Sequence, residues 1–262
     1  MATLVTFHAH PDDESIGVGG VMRKAADEGH RVVLVVATRG ENGEVPDGFL
    51  TDGEQLWQRR VVETQAAADI LGVQRVEFLG YTDSGMMGTP TNDVPGSFWT
   101  TSVDEAAEKL AAILREENAD VLTCYDDNGG YGHPDHIQVH RVGIKAAELA
   151  GTPRVYQNTM NRDQILRGRV FMGAVADDMP DIEGQDNFGK PEEVITAAVD
   201  VTKYLETKRA AMRAHASQIS DSSFFLSMPD EAFAYGFGTE WFIRDGQGPG
   251  ITETDIMAGL PT

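Results

Sequence analysis

The sequence predicts an α/β protein built on an open, doubly wound, mostly parallel sheet. Three observations carry this. Short runs rich in β-branched residues alternate with longer, amphipathic stretches between Leu4 and Thr159. The runs are apolar on both faces, as strands buried in a parallel sheet require. Gly29, Gly72 and Gly151 each follow a candidate helix, where a left-handed C-terminal cap favours glycine. Strand–helix–strand order of this kind is Rossmann-like.

In chain order, residues 4–9, 32–38, 76–81, 121–125 and 154–159 read as strands. Between them, residues 15–28, 54–71, 103–118 and 134–149 are long and periodic enough for helices, with Leu110, Ile113 and Leu114 on one face of the third. Pro134 suits the first turn of the last. Beyond residue 160 the pattern loosens. Residues 177–191, acidic and punctuated by Pro and Gly, read as a loop, 194–201 as a strand, 202–217 as a helix and 245–249 as a turn. With no repeat and no linker, residues 1–262 read as one domain, with a core over about 3–175 and a C-terminal elaboration over about 176–262.

The chain has 262 residues with 21 Lys+Arg against 42 Asp+Glu, a formal charge of −21, and 41% hydrophobic residues. That apolar share supports a sizeable core. The acidity opposes binding to nucleic acid or an anionic membrane. Cys124 is the sole cysteine, so an intrachain disulfide is excluded. The longest apolar run, Val32 to Ala37, falls far short of the ~20 residues that span a bilayer. Met1 to Phe7 lacks a charged segment followed by a long apolar one, so the expected location is cytoplasmic.

Chemistry concentrates at the strand ends, where open α/β sheets bind ligands. Loop one reads His8-Ala9-His10-Pro11-Asp12-Asp13-Glu14, and the loop after the fourth strand runs from Asp126 to His136. His10 and Asp13 lie three apart on a turn that Pro11 restricts, so both can face one ion, with Asp12 turned elsewhere and free to act on a water. The plainer reading is an acidic first turn complementing the helix dipole. His136 would complete a two-His, one-carboxylate site, with His133 beside it and Asp135 orienting an imidazole. The alternative pair, His136 and His140, shares a helix face but lacks the His-Glu-x-x-His form. Such a site takes Zn2+ and also accepts Fe2+ or Co2+. Amide hydrolysis needs these parts: a metal to polarise the carbonyl, a carboxylate base and an acid for the departing nitrogen.

Other residues have simpler readings. His8 is read as a packed strand histidine, His30 as surface, Cys124 as an inert core thiol, and His215 as a cation at a helix end. Glu14 is either a partner to the site or a first-turn acid. Gly17-Val18-Gly19-Gly20 supplies glycines for a dinucleotide, but Asp12, Asp13 and Glu14 would repel its pyrophosphate. A carbohydrate-binding module would need neither metal nor base.

The stretches Ala9-His10-Pro11-Asp12-Asp13-Glu14 and Gly132-His133-Pro134-Asp135-His136 together resemble the LmbE/PIG-L-like metal-dependent de-N-acetylases. Gly40 to Glu44, Gly80 to Met86, Asn128 to Tyr131, and Lys208 to Ala211 with His215-Ala216 are similar to its mycothiol-pathway branch. The resemblance implies zinc on His10, Asp13 and His136, with Asp12 as general base. It gives His133 the tetrahedral intermediate or the leaving amine, with Asp135 tuning it, and places Tyr131 over the site to assist the oxyanion. It assigns Glu44, Arg60 and Asp83 to sugar or inositol hydroxyls. The implied activity is removal of an N-acetyl or other N-acyl group from a small amino-sugar substrate such as N-acetylglucosaminyl-inositol. Cleavage of mycothiol S-conjugates is the alternative, though that subgroup implies a Lys near Gly17 that Ser15 to Val18 does not supply. Deacetylation of another glycoconjugate or antibiotic also fits, and a homo-oligomer is compatible with all of these.

Overall fold

The computed structural model describes residues 1–172 and 188–262. Most of the loop expected at 177–191 lies outside the described residues. Seven described strands form one sheet: β1 (Thr3–His8), β2 (Arg31–Thr38), β3 (Arg75–Tyr81), β4 (Val121–Tyr125), β5 (Arg154–Thr159), β6 (Ala197–Asp200) and β7 (Thr239–Arg244). Their spatial order is β3-β2-β1-β4-β5-β7-β6. The first five are parallel, and β7 runs antiparallel between β5 and β6. The order reverses between β1 and β4, so a crevice opens beyond the carboxyl ends of those two strands.

Strand alternation divides the core into two faces. Leu4, Val32, Leu34 and Val36 point to one side, against Met22 of α2 (Gly19–Asp27), Leu71 of α3 (Leu56–Leu71) and Ala211 of α7 (Leu205–Ala214). Val5, Phe7, Val33 and Val35 point to the other, against Leu110 and Leu114 of α4 (Val103–Glu116) and Val139 and Val142 of α5 (Pro134–Ala150). No described helix is long and apolar enough to cross a membrane.

The helix expected at 15–28 is two helices, α1 (Asp13–Gly17) and α2, separated at Val18 with φ −136°. A carboxylate from β7 explains the new start. Gly20 N and Val21 N of α2 each donate to Glu240 at 2.8 Å, which satisfies first-turn donors that a continuous helix would have used internally. A side chain at position 20 would meet Val201 at 2.5 Å, so only glycine fits.

The later half departs most from expectation. α6 (Arg162–Met172), α8 (Phe224–Ser227), α9 (Asp230–Phe237) and β7 were not expected. The expected strand at 194–201 is confined to β6, and the expected helix at 202–217 opens with a 3-10 turn and ends at Ala214. Far from sitting beside the core, the C-terminal part adds two strands to the same sheet. It also builds a small apolar cluster from Met212, Ile219, Leu226, Met228 and Phe233.

Candidate metal centre and active site

Two loops meet at the β1/β4 crevice. From the first, His10 N donates to Asp13 Oδ2 at 2.8 Å, turning that carboxylate back over the strand end. Asp13 Oδ2 then lies 3.4 Å from His10 Nδ1 and 3.4 Å from His136 Nε2. Donors bound to one tetrahedral zinc at 2.0–2.1 Å stand about 3.3–3.4 Å apart, so this spacing suits a shared ion.

The far side of each imidazole is already committed. His10 Nε2 meets Asp135 Oδ2 at 3.1 Å, and His136 Nδ1 lies 3.2 Å from the Gly129 carbonyl. Those contacts leave the lone pairs of His10 Nδ1 and His136 Nε2 facing Asp13, the outer-partner pattern of metal-ligating histidines. Among the described residues, His136 Nε2 is buried without a hydrogen-bond partner. A buried orphan nitrogen is costly unless something occupies it, so the donor set fits a metal ion. Burial opposes charge on His10, yet Asp13, Asp135 and Asp83 outweigh it and hold the imidazole well above its usual range. The cluster therefore attracts a cation.

His133 stands next to this trio, and His10, His133 and His136 each offer a nitrogen within 4.8 Å of the others. It is occupied differently. It caps α5, with its Nδ1 accepting the Asp135 N–H at 3.1 Å, which places the ring proton on Nε2. Burial, then His10 and His136, push its pKa down to about 4, so the ring is neutral near pH 7.

Asp12 has φ +101°, and Asp12 and Asn118 are the described non-glycine residues in that region. Such a conformation costs on the order of 1–3 kcal/mol and persists only where neighbours enforce it. Here Asp12 N donates to Glu14 Oε2 at 3.0 Å, while Arg60 Nη2 donates to Asp12 Oδ2 at 3.2 Å and to the Pro11 carbonyl at 2.5 Å. Glu14 is itself held by His215 Nε2 at 2.6 Å and by Ser15 Oγ at 2.7 Å, and both Glu14 and His215 are wholly buried. Burial pushes Asp12 up to about 6, against the lowering influence of Arg60.

A family model described as GlcNAc-PI de-N-acetylase, PIG-L, matches residues 5–147. A protein of Acidothermus cellulolyticus named 1D-myo-inositol 2-acetamido-2-deoxy-alpha-D-glucopyranoside deacetylase is 42% identical over 98% of this chain and 95% of its own length. A protein of Salinispora arenicola with the same name is 41% identical over 98% of this chain and 91% of its own. The chain belongs to the GlcNAc-PI de-N-acetylase family. Its fold is also that of a deacetylase from the teicoplanin biosynthesis pathway, with a TM-score of 0.64 at 18% identity, covering 94% of this chain and 100% of that one.

With the family known, the remaining residues can be placed around its site. Tyr131 lies edge-on to His136 with ring centroids 4.9 Å apart and is 39% exposed at the mouth. The Asp135 carboxylate meets His10 and the Ser84 N–H, its backbone N–H meets His133, and its charge raises the His133 pKa against the lowering effect of burial. Asp83 reaches the site too, with Oδ1 at 3.6 Å from His10 Nε2, and it organises the loop by accepting from Gly85 N and Asn42 N. Arg60 is buried, and its Nη atoms are taken by Pro11, Gly40 and Asp12, so it braces the loops around Asp12. Glu44 is not brought in. It is exposed, does not line the cavity, and contacts Gln218 through its carbonyl.

His140 turns away to the Tyr125 carbonyl at 3.0 Å. His30, expected at the surface, is buried, and Cys124 is a buried thiol whose pKa burial raises. His215 pairs with Glu14 instead of merely closing a helix. Sequence reading missed Tyr125 altogether, because a tyrosine ending an apolar strand reads as core. The cavity holds about 800 Å³, and Ile16, Met160, Phe224, Phe225, Phe237 and Trp241 form an apolar arm of its lining.

Proposed function

We propose that this chain is a zinc-dependent N-deacetylase that acts on N-acetylglucosaminyl-inositol, with His10, Asp13 and His136 holding the metal. The carrying observation is that Asp13 Oδ2 stands 3.4 Å from a nitrogen of His10 and 3.4 Å from a nitrogen of His136, beside an enforced, strained carboxylate. Full-length similarity to deacetylases of that substrate supports the choice of sugar. A bound Zn2+ supplies Lewis acidity toward the amide carbonyl and toward water.

The chain's residues supply the proton chemistry. Asp12, with its pKa near 6, is a better base than an ordinary carboxylate yet is ionised at pH 7. It takes a proton from water as the oxygen attacks the acetyl carbon. His133, neutral and protonated on Nε2, donates a hydrogen bond to the oxygen that gains negative charge. Tyr131, whose hydroxyl burial holds above the usual phenol range, remains a donor beside it. Asp12 then returns its proton to nitrogen, the C–N bond breaks, and acetate and an amine leave. Asp135 and Asp83 orient His10 throughout.

A second reading is favoured by the cavity's apolar arm, which suits an amide substrate bearing an apolar group, such as a mycothiol S-conjugate. The test pairs elemental analysis with primary-amine release from N-acetylglucosaminyl-inositol, N-acetylglucosamine and a mycothiol S-conjugate. One metal per chain and chelator-sensitive release, fastest from the inositol conjugate, is the expected result. Faster cleavage of the S-conjugate would select the second reading, and absence of metal and turnover after Zn2+ or Fe2+ addition would overturn both.

A further inference from the structure

Tyr125 is the last residue of β4, nearly buried, and takes no part in the chemistry described so far. Its ring is stacked on His136, with centroids 4.6 Å apart and planes 29° apart. Its hydroxyl lies 2.9 Å from His8 Nδ1 and receives the Ala9 N–H at 3.4 Å. One side chain thus joins the two loops, facing His136 of the second with its ring and holding the strand end that leads into the first with its hydroxyl.

We propose that Tyr125 is a positioning residue of the metal centre, anchored by His8, that sets the ring plane of His136. An imidazole lone pair lies in the ring plane, so rotation about the Cβ–Cγ bond removes it from the ion. The Gly129 carbonyl restrains one edge of the His136 ring, and an edge contact alone still permits tilting. A ring stacked on the face blocks that tilt. The hydroxyl, held by His8 and Ala9, then ties the facing ring to the end of the strand that leads into the other two donors.

His8 strengthens the case. It is 1% exposed, and its Nε2 is buried with no partner. Burying an imidazole with one nitrogen unsatisfied is unfavourable for packing alone, since an apolar side chain would fill the space without that penalty. Among the described residues, its side-chain hydrogen bond is to the Tyr125 hydroxyl. The sequence places His8 one turn of the strand pleat before His10, so the anchor and the ligand share a strand end.

This inference rests on the metal-centre reading, and the experiment separates the two. Zn2+ affinity would be measured by chelator competition, alongside the visible spectrum of the Co2+ form, for the unmodified chain, Tyr125→Phe, Tyr125→Leu and Tyr81→Phe. Tyr81 is the control, a buried tyrosine on β3 whose hydroxyl has no partner and whose ring stacks on Phe98. Loss of a group that orients a ligand typically weakens metal binding about 10–100-fold. Tyr125→Phe, which keeps the stack, should lose about tenfold, and Tyr125→Leu about a hundredfold, both with a shifted Co2+ band. Tyr81→Phe should match the unmodified chain. Unchanged affinity and spectrum in the Tyr125 variants would overturn the inference and leave the metal centre standing. Should Tyr125→Leu fail to fold, Tyr125→Phe decides alone. If the unmodified chain takes up no metal, the centre and the inference fall together.

Discussion

The two loops that form the site are held in opposite ways. The second is held mostly at close range: Asp126 Oδ1 accepts from Asn128 N and Gly130 N at 3.0 Å each, His133 caps its own helix, and His136 leans on Gly129, with Thr159 Oγ1 at the end of β5 and Gly189 N adding one bond each to Asp126 Oδ2 and the Gly130 carbonyl at 2.6 Å. Gly129, at φ +62°, lies so close that a Cβ would stand 2.4 Å from that of His136. The first loop depends on distant partners. Its strained Asp12 is held by Arg60 from α3, and by Glu14, which is locked in turn by His215 at the end of α7. Donors a few residues apart can be written in a short stretch of sequence, whereas a strained carboxylate needs neighbours that the whole fold must deliver.

The largest effect should come from the base itself. Asp12→Asn should lower turnover about 10²–10⁴-fold with metal content unchanged. His136→Ala should lose metal and turnover together. If Asp12→Asn lost the metal and His136→Ala kept it, the roles of base and ligand would be reversed.

Next comes the dependence on distant partners. His215→Ala leaves the Glu14 charge buried and uncompensated, which should cost about 3–5 kcal/mol of stability. Asp126→Asn removes an acceptor from a loop that keeps its backbone bonds, and should cost about 1–3 kcal/mol. Urea unfolding of both variants tests the contrast, and equal losses would break it.

The same pair sharpens the comparison through pH. Glu14 is lowered from 4.5 to about 2, with burial opposing and His215 prevailing, so its contribution is lost as pH falls from 4.5 toward 2. His215 is raised above 6.5, with burial opposing and Glu14 prevailing, so its contribution is lost as pH rises through that raised value. The stability gap between the unmodified chain and His215→Gln should therefore be widest between about pH 4.5 and 6.5 and narrow on either side. A gap that grew steadily with pH would contradict the pairing. The smallest effect belongs to Glu44→Ala, which should leave kcat/KM within twofold and stability within about 0.5 kcal/mol. A larger loss of kcat/KM would return Glu44 to the substrate.

How much could be read in advance follows from the same physics. β1 to β5 were legible because strands buried on both faces are continuous apolar runs. β7 was hidden because one of its buried positions is Glu240, whose charge is matched by Lys208 at 2.5 Å and by the α2 donors. A buried ion pair breaks the hydrophobic alternation from which strands are recognised. The split at Val18 was hidden by the same contact, since a carboxylate 220 residues away sets the second helix start. His10, Asp13, His133 and His136 announced themselves by spacing at strand ends. The tasks of Arg60 and His215 did not, because nothing in their own surroundings says what they reach.

Sequence by itself determined the parallel half of the sheet, the family and the donors that sit within a few residues of one another. Those features depend on local periodicity and on short-range geometry, which a chain carries wherever it is placed. Tertiary structure alone decided that Asp12 is strained and braced, that Asp135 serves His10, that Tyr125 stacks on His136, and that an apolar arm adjoins the histidines. Each of these joins elements far apart in the chain, and a contact across that distance exists only once the core has packed.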